Sequence, residues 1–373
     1  MIYLDNAATT RPDGDILAKN KDIYEDNFFN PSALYRGGLD AKARVETARS
    51  QIASFFPKDC DIIFTSCGSE ADDTAIFSFC KRGNFVTTSG EHSAVYESFK
   101  ALKNRGADVR FAELNPNGSV NEESLLSLID DKTTFVSIVH VNNETGAIND
   151  INSLSEKIKL KNPAVIFHSD GVQAFGKLPY AMNKYVDLYS VSAHKIGGVK
   201  GVGALVKRKK LPITPLIYGG GQEQGLRSGT ENVFGIAVFG DAAEKKRKGL
   251  RLNYEKAQRL KNLFLSKTSM CDDIKPISSG NSSPYILSLS AVGLRGEVIE
   301  HMLEDFDIIV GTGSACSSKN RYSRVLSSCG YDKSVLDGVL RISLSAETTD
   351  EEIEFCAEKM IFCVNKLKGV ING

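Results

Sequence analysis

From residue 61 to about residue 206, short β-rich apolar runs alternate with stretches of helical periodicity. This alternation predicts βαβ units and a mostly parallel sheet that is covered by helices on both faces. The predicted strands are 61–66, 84–88, 108–111, 133–141, 164–169, 186–192 and 202–206, and the predicted helices include 70–81, 93–104, 122–130 and 152–160. Ligands of such sheets bind beyond the carboxyl ends of the strands, so polar residues at those positions are candidates for chemistry.

After residue 240 the rhythm changes. A long charged helix is predicted from about residue 241 to residue 268, and mixed strands and helices follow it. A chain of 373 residues is long enough for about two domains. We therefore predict an α/β domain followed by a second, smaller α+β domain, which the N-terminal segment joins.

The charge balance excludes function classes that depend on a strong electrostatic field. The chain carries 46 Lys and Arg against 46 Asp and Glu, and its one dense basic run, 207–210, is interpreted as a solvated loop. Nucleic acids and acidic lipids both attract clustered basic charge. No apolar run reaches the ~18–20 residues that cross a bilayer, and the first residues do not resemble a signal peptide. We expect a cytoplasmic protein with no direct nucleic-acid or membrane partner.

The sharpest single feature is Lys195, which directly follows an apolar strand and precedes a Gly-rich turn. In a desolvated crevice the pKa of a lysine falls and its amine can form a Schiff base, although an exposed loop lysine is the alternative. Asp170 lies about one strand earlier. Pyridoxal 5'-phosphate needs a lysine for its aldehyde and a carboxylate that keeps its pyridine nitrogen protonated. Lys195 and Asp170 are of the right types on neighbouring strand ends.

A phosphate group needs small residues and backbone N–H groups at a helix start. Gly68 and Ser69 follow the first predicted strand, and a helix is predicted to begin near Glu70, where its N-terminus favours an anion. Such a turn is common and is weak evidence by itself. No nucleotide-binding motif of the Walker or GxGxxG type supports a different reading.

Four of the five histidines fall at or near predicted strand ends. Each alone is typical of a structural residue, but together they suggest a shared site at one rim of the sheet. They are His92, His140, His168 and His194.

The eight cysteines are scattered without a CxxC pair, which is typical neither of a disulfide scaffold nor of a zinc site. Cys316 differs from the other seven because small residues surround it in GTGSACSS, 311–318. A thiol in such a loop can move and stay accessible, as attack on a bound substrate requires. We predict that Cys316 is the reactive thiol and that most of the other cysteines are packing residues.

Arg341 lies inside a predicted apolar strand, where a bare guanidinium is costly. Either a bidentate contact with a substrate carboxylate or an internal ion pair explains it.

These motifs together resemble one family, the pyridoxal-phosphate-dependent cysteine desulfurases of the NifS/IscS type, within the class V aminotransferases of fold type I. The matching motifs, in chain order, are LDNAATT at 4–10, NPS at 30–32, FTS at 64–66 with Glu70, GEH at 90–92, HVNNETG at 140–146, HSDGVQ at 168–173, SAHK at 192–195, RSGT at 227–230, GSAC at 313–316 and Arg341. The resemblance runs nearly end to end. It implies a large domain, 14–256, with a mostly parallel seven-stranded sheet, and a small α+β domain, 1–13 and 257–373, that carries the cysteine loop.

The resemblance also implies roles for individual residues. Lys195 would bind the cofactor's aldehyde and move protons, with Asp170 at the pyridine nitrogen, Gln173 at the ring hydroxyl and His92 stacked on the ring as an acid–base group. Cys316 would take the sulfur of L-cysteine as a persulfide, release L-alanine and pass the sulfur to an acceptor protein. The remaining contacts to the phosphate would come from Gly68, Ser69, Ser192, His194 and Thr230 of the second subunit of a homodimer. The substrate carboxylate would be bound by Arg341 and by Asn143, which would also contact the cofactor.

Some positions depart from the family pattern. Cys67 replaces a usual Gly, and the loop after Cys316 is more basic and slightly shorter than usual. The acceptor, in iron–sulfur cluster assembly or in tRNA or cofactor thiolation, stays open for that reason.

Other functions are compatible with parts of this pattern. A selenocysteine lyase or another class V aminotransferase-type enzyme is the alternative within the fold, but an aminotransferase does not need the GSAC loop. A non-catalytic sulfur-relay scaffold would be colourless. A metal enzyme would need paired histidine ligands, which the spacing does not offer.

Overall fold

The computed structural model describes residues 1–278, 280–312 and 322–372. The strands are β1 (Ile2–Tyr3), β2 (Cys60–Thr65), β3 (Asn84–Thr88), β4 (Asp108–Ala112), β5 (Thr133–Ser137), β6 (Ile166–Asp170), β7 (Leu188–Ser192), β8 (Gly203–Arg208), β9 (Ile274–Pro276), β10 (Ile286–Ala291), β11 (Ile308–Ile309), β12 (Gly311–Thr312) and β13 (Val339–Ser343). The helices are α1 (Gly14–Lys19), α2 (Asp22–Glu25), α3 (Arg36–Ala53), α4 (Gly68–Phe79), α5 (Ser93–Asn104), α6 (Glu122–Ser127), α7 (Ile151–Lys161), α8 (Val233–Thr268), α9 (Gly296–Glu304), α10 (Arg324–Ser328), α11 (Lys333–Asp337) and α12 (Asp350–Asn372).

A seven-stranded sheet in the order β2-β8-β7-β6-β5-β3-β4 confirms the predicted fold class. β8 runs antiparallel to both of its neighbours, and the other adjacent strands are parallel. Alternate residues of one strand enter different cores. Ile62 and Phe64 pack in the cluster that α3, α7 and α8 share, whereas Ile63 packs with α4 and α5. The sheet is therefore covered on both faces.

Two predicted boundaries differ most from the observed ones. The fifth strand ends at Ser137 and not at residue 141, although Ile138 and His140 still donate backbone hydrogen bonds to β6. The long helix begins at Val233 and not near residue 241, because the Asn232 side chain caps it and residues 235–240 are all buried. A helical stretch that is buried all round has no amphipathic periodicity, so its sequence does not look like a surface helix.

A second core lies in the C-terminal part of the chain. It is built on the antiparallel sheet β12-β13-β10-β9 and on the parallel pair of β1 with β11. Leu4 from the N-terminus packs in this core with residues of α8, α9 and α12. The predicted division at 13/14 and 256/257 stays a prediction.

Within the described ranges, no helix has the length and apolar character that crossing a bilayer requires.

Candidate active site

Asp170 and Lys195 lie on adjacent strand ends, as predicted. Asp170 is the last residue of β6 and pairs in register with Ser190 of β7. β7 ends at Ser192, and a 3-10 turn, Ala193–Lys195, follows it directly. Because the two strands are parallel neighbours, their carboxyl ends bring a buried carboxylate and a lysine to the same edge of the sheet.

The Lys195 amine is held by main-chain carbonyls. Its Nζ donates to the carbonyl oxygens of Ala7 and Ala8, at 2.7 Å each. Burial, together with the charge of Arg341, lowers the pKa of Lys195 to about 8, against the opposing effect of Asp170. The neutral amine that a Schiff base requires is therefore accessible near pH 8.

Asp170 is 5% exposed. The backbone N–H of Val172 donates to its Oδ1 at 2.9 Å. Burial raises the pKa of Asp170, whereas His92, this N–H group and Lys195 act to lower it. A carboxyl group poised in this way can share a proton with a basic nitrogen of a ligand.

Gln173 makes two hydrogen bonds through its carboxamide. Its Nε2 donates to the carbonyl of Ala7 at 2.8 Å, the same oxygen that Lys195 contacts. Its Oε1 accepts from Nζ of Lys177 at 3.1 Å. Lys177 is buried and was not among the residues that the sequence singled out.

His92 is the N-cap residue of α5, and its Nδ1 accepts from the backbone N–H of Ala94 at 3.2 Å. The side chain reaches solvent, but the surrounding protein desolvates it enough to lower its pKa, and Lys195 adds to this effect. The cap hydrogen bond thus fixes the orientation of the His92 ring, and the charges of Asp170 and Lys195 act on it.

His194 is fixed by the N-terminal segment. Its Nδ1 lies 3.2 Å from Oγ1 of Thr9, and its carbonyl accepts from the N–H of Thr10 at 2.8 Å. Burial and then the charge of Lys195 lower the pKa of His194 to about 4, so the ring is neutral at physiological pH.

The expectation that four histidines share a site at one rim of the sheet is wrong for two of them. His140 and His168 are 4% and 0% exposed. His140 bonds to the hydroxyl of Tyr189 at 2.7 Å, and His168 lies between the hydroxyls of Ser137 and Ser190 at 2.8 and 3.0 Å. Both are structural residues that neighbouring hydroxyls satisfy inside the sheet.

The turn before α4 has the form that an anion site needs. The helix begins at Gly68 rather than near Glu70, and its N-cap Cys67 makes no side-chain cap hydrogen bond. Ser192 is 2% exposed, and its Oγ is buried without a hydrogen-bond partner in the described part of the chain. A Cβ added at Gly68 would stand 3.5 Å from Cβ of Ser192, so the hydroxyl lies beside the first turn of α4. Uncapped N–H groups and an unused hydroxyl suit a phosphate.

We expect Gly203→Ala to weaken this site. A Cβ at Gly203 would approach the backbone carbon and oxygen of Cys67 at 2.5 and 2.7 Å, so the start of α4 has to shift. We expect phosphate-containing ligands to bind at least about tenfold more weakly, because the N–H groups of a helix start bind only what they point at. Gly14→Ala, with nothing within 4 Å of its added Cβ, is the matched control. Unchanged binding by Gly203→Ala in a ligand titration would contradict the assignment.

The segment that carries Thr230 is tied to α4. Arg227 donates from Nε to Oε1 of Glu70 at 2.8 Å, and the backbone N–H of Ser66 donates to the other oxygen of Glu70 at 2.7 Å. Thr230 itself is exposed on this chain.

Arg341 has the internal ion pair that was one of its two explanations. Its Nη2 bonds to Oδ1 of Asp5 at 2.7 Å, and its Nη1 donates to the carbonyl of Asn143 at 3.0 Å. Its Nε is buried and has no partner among the described residues. The pairing with Asp5 supplies charge balance, and the unused Nε leaves one donor for a further ligand.

Cys316 lies outside the described residues, but the segments on both sides of it reach the site. Before it, Gly311 of β12 pairs with Arg341 of β13. After it, Arg324 donates to the carbonyls of Ser89 and Glu91, directly before His92. The other seven cysteines are free thiols, and six of them are buried, which fits their predicted packing role; Cys67 is half-buried.

Comparison with known proteins identifies the family. The model of the class-V aminotransferases matches residues 2–355. The chain belongs to the class-V aminotransferase family. A cysteine desulfurase of Nostoc sp. is 34% identical over 99% of this chain and 94% of its own length. A solved NifS-like protein, 34% identical, superposes with a TM-score of 0.91 over 98% of this chain and 99% of its own. SspA, solved in complex with cysteine, is 27% identical with a TM-score of 0.81 over 94% of this chain and 100% of its own.

Within this family the predicted resemblance to the NifS/IscS type is confirmed. Among the residues that the structure describes, no group of three or more His, Cys, Asp and Glu could hold a metal ion. The contacts that the sequence did not reveal come from the main-chain carbonyls of Ala7 and Ala8 and from Asp5, Lys177 and Arg324. The LDNAATT motif indicated that the N-terminal segment matters, but no spacing rule connects it to Lys195.

Proposed function

We propose that this chain is a cysteine desulfurase, which converts L-cysteine to L-alanine and leaves the sulfur as a persulfide on Cys316. The persulfide is passed to an acceptor protein of iron–sulfur cluster assembly or of tRNA or cofactor thiolation. One observation carries the proposal: Lys195, whose pKa is lowered, and the buried Asp170 lie at the ends of adjacent strands of this fold. The cysteine desulfurase of Nostoc sp., similar over nearly the whole chain, supports the same reaction.

The described residues fit pyridoxal 5'-phosphate as the cofactor. The unpartnered Ser192 hydroxyl and the uncapped start of α4 suit its phosphate. Lys195 would hold its aldehyde carbon, Asp170 its ring nitrogen, Gln173 its ring hydroxyl and His92 its ring face. The phosphate would lie against Gly68 and Ser69, Ser192 and His194. Bound there, the cofactor supplies an electron sink for the carbon skeleton of the substrate.

The protein's own residues supply binding and proton transfer. Lys195 removes and returns a proton at the substrate carbon, which its pKa of about 8 allows. The substrate carboxylate would be held by Arg341, through the Nε that has no partner in the described structure, and by Asn143, whose backbone carbonyl accepts from Nη1 of Arg341. SspA was solved in complex with cysteine, which supports L-cysteine as the substrate.

The sulfur step is a transfer between two sulfur atoms. The thiolate of Cys316 attacks the substrate sulfur, an S–S bond forms and the C–S bond breaks. The carbon fragment keeps the electron pair of the broken bond and takes up a proton, which gives alanine. The balance is L-cysteine and an enzyme thiol to L-alanine and an enzyme persulfide, so no external oxidant is needed.

We also propose that the enzyme acts as a homodimer. Exposed apolar side chains are concentrated between residues 24 and 39 and between residues 216 and 218. They are Tyr24, Phe28, Leu34, Tyr35, Leu39, Leu216, Ile217 and Tyr218. An apolar surface of this kind marks a protein interface. In the dimer, Thr230 of the partner subunit would complete the phosphate site.

Replacing Cys316 with alanine tests the reaction. We expect alanine formation with a sulfur acceptor to fall at least about a hundredfold, because the substitution removes the thiol that is proposed to take the sulfur. The yellow colour of the bound cofactor stays, since Lys195 is intact. Alanine and protein persulfide are measured by mass spectrometry, with Cys363→Ala, a buried thiol of α12, as the matched control. Full desulfurase activity of the Cys316→Ala protein would contradict the persulfide role.

A further inference from the structure

We propose that Lys177 is a positioning residue for Gln173, which it holds with the carboxamide nitrogen directed toward Lys195 and the cofactor ring. The proposal rests on the proposed function, because Gln173 acts on the cofactor only if pyridoxal phosphate is bound there.

The first support is the geometry of the turn after β6. Lys177 follows Gln173 by four residues, and the backbone N–H of Lys177 donates to the carbonyl of Ala174 at 3.0 Å. The segment is a turn and not a continuous helix, because Gly176 within it has a positive φ of 68°. The Lys177 ammonium is thereby delivered to Oε1 of Gln173, at 3.1 Å.

The second support is that the two contacts of Gln173 permit only one orientation of its amide. A lysine ammonium has donors and no acceptor, so it binds the amide oxygen. The carbonyl of Ala7 only accepts, so it binds the amide nitrogen, at 2.8 Å. Turning the amide over would set oxygen against oxygen and nitrogen against nitrogen. Lys177 and the Ala7 carbonyl therefore together fix which end of Gln173 faces the site.

The chosen orientation is the useful one. The Ala7 carbonyl that accepts from Gln173 also accepts from the Lys195 amine, so the Gln173 nitrogen lies on the Lys195 side. The cofactor's ring hydroxyl is an acceptor when it is ionised, and an amide nitrogen is the donor that stabilises it. The opposite orientation would present an oxygen to that group and repel it.

The third support is that Lys177 occupies an unfavourable position for a purely structural residue. It is 6% exposed, and burial, followed by the charges of the cations Lys195, Lys246 and Arg341, lowers its pKa to about 7. No ion pair to a carboxylate compensates it in the described ranges of the chain. Buried ionisable groups of this kind occur mainly at functional sites.

Pyridoxal phosphate titrated into the apoprotein tests the proposal, with the dissociation constant and the absorption maximum as readouts. We expect Lys177→Met to weaken binding about tenfold, the effect of losing one hydrogen bond to a charged group, and to shift the near-visible band. Lys177→Arg keeps a donor and is expected to restore both values. Should Lys177→Met not fold, Lys177→Gln, which is too short to reach Oε1, replaces it with the same expectation.

A double-mutant cycle separates positioning from a general structural effect. If Lys177 acts through Gln173, then Lys177→Met has less than about a twofold effect when Gln173→Ala is already present. Lys261 is the matched control, because it is also buried, with a lowered pKa of about 8, and its Nζ donates to Ser282 and Ser283 away from the site. Lys261→Met is expected to lower the melting temperature and leave the cofactor band unchanged.

Two results would overturn the proposal. One is a Lys177→Met protein that binds pyridoxal phosphate with the wild-type constant and absorption maximum. The other is full additivity of the Lys177 and Gln173 substitutions. A wild-type protein that forms no near-visible band at all would instead overturn the proposed function, so the two failures are distinguishable.

Discussion

Lys195→Ala is expected to abolish the near-visible absorption of the protein and to lower desulfurase activity at least about a thousandfold. The substitution removes both the amine that binds the cofactor and the group that moves the substrate proton, and each of these roles alone carries a large part of the rate. Absorption spectra and alanine formation from L-cysteine are the measurements. Lys200→Ala, an exposed lysine of the same Gly-rich turn, is the control and should keep both properties.

The lowered pKa of Lys195 gives this prediction a pH dependence. Only the neutral amine attacks the aldehyde, so capture of pyridoxal phosphate by the wild-type apoprotein should speed up as the pH rises toward about 8 and then level off. A lysine with its ordinary pKa of ~10.4 would show no plateau before about pH 10. A Lys195→Ala protein that stays yellow, or a capture rate that still climbs steeply above pH 9, would contradict the assignment.

Glu223→Leu is expected to lower the free energy of unfolding by roughly 3–5 kcal/mol, or the melting temperature by about 10 °C. The Glu223 carboxylate, 2% exposed, accepts from both Nη atoms of Arg49 at 2.7 and 2.8 Å and from the N–H of Phe64 at 2.9 Å. Removing it leaves Nη2 of a largely buried guanidinium and a buried N–H without their acceptor, while Nε and Nη1 of Arg49 keep the Glu46 carboxylate and the Ile62 carbonyl. Differential scanning calorimetry measures the effect.

The matched control for Glu223 is Glu255, whose pair with Arg251 is 56% and 90% exposed. Glu255→Leu should change stability by less than about 1 kcal/mol, because solvent screens such pairs. Glu223→Leu should also weaken cofactor retention, since the segment it anchors continues to Arg227 and Thr230. Equal melting temperatures for the two variants would show that the Arg49–Glu223 pair contributes no more than a surface ion pair.

Strong local signals explain which elements the sequence predicted correctly. The strand at 84–88 and the helix at 93–104 match the structure residue for residue, because one is an uninterrupted β-rich run and the other a clear amphipathic helix. α8 was placed too late, because its first turns are buried on all sides and show no polar face. A helical period in hydrophobicity arises when only one side of a helix is buried, so it does not reveal a helix that is buried on all sides.

The candidate site divides in the same way. Asp170 and Lys195 were found because each follows an apolar strand, and the carboxyl ends of neighbouring parallel strands meet at one edge. His140 and His168 lie near the ends of predicted strands too, yet hydroxyl groups from adjacent strands satisfy them inside the sheet. The position of a residue in the chain indicates which strand end carries its side chain, but it does not indicate which hydrogen-bond partners surround that side chain.

By itself, the sequence determined the α/β class, the positions of the sheet-forming segments along the chain, the family and the residue types that carry the chemistry. Periodicity and motifs are local properties of a chain, so they can be recognised without the fold. Only the tertiary structure decided that the carbonyl of Ala7 receives both Lys195 and Gln173, that Lys177 directs Gln173 and that Asp5 balances Arg341. The Ala7, Ala8 and Asp5 contacts join segments that are more than 160 residues apart in the chain. Burial and long-range hydrogen bonds arise only when those segments pack, and they set the charge states and orientations on which the reaction depends.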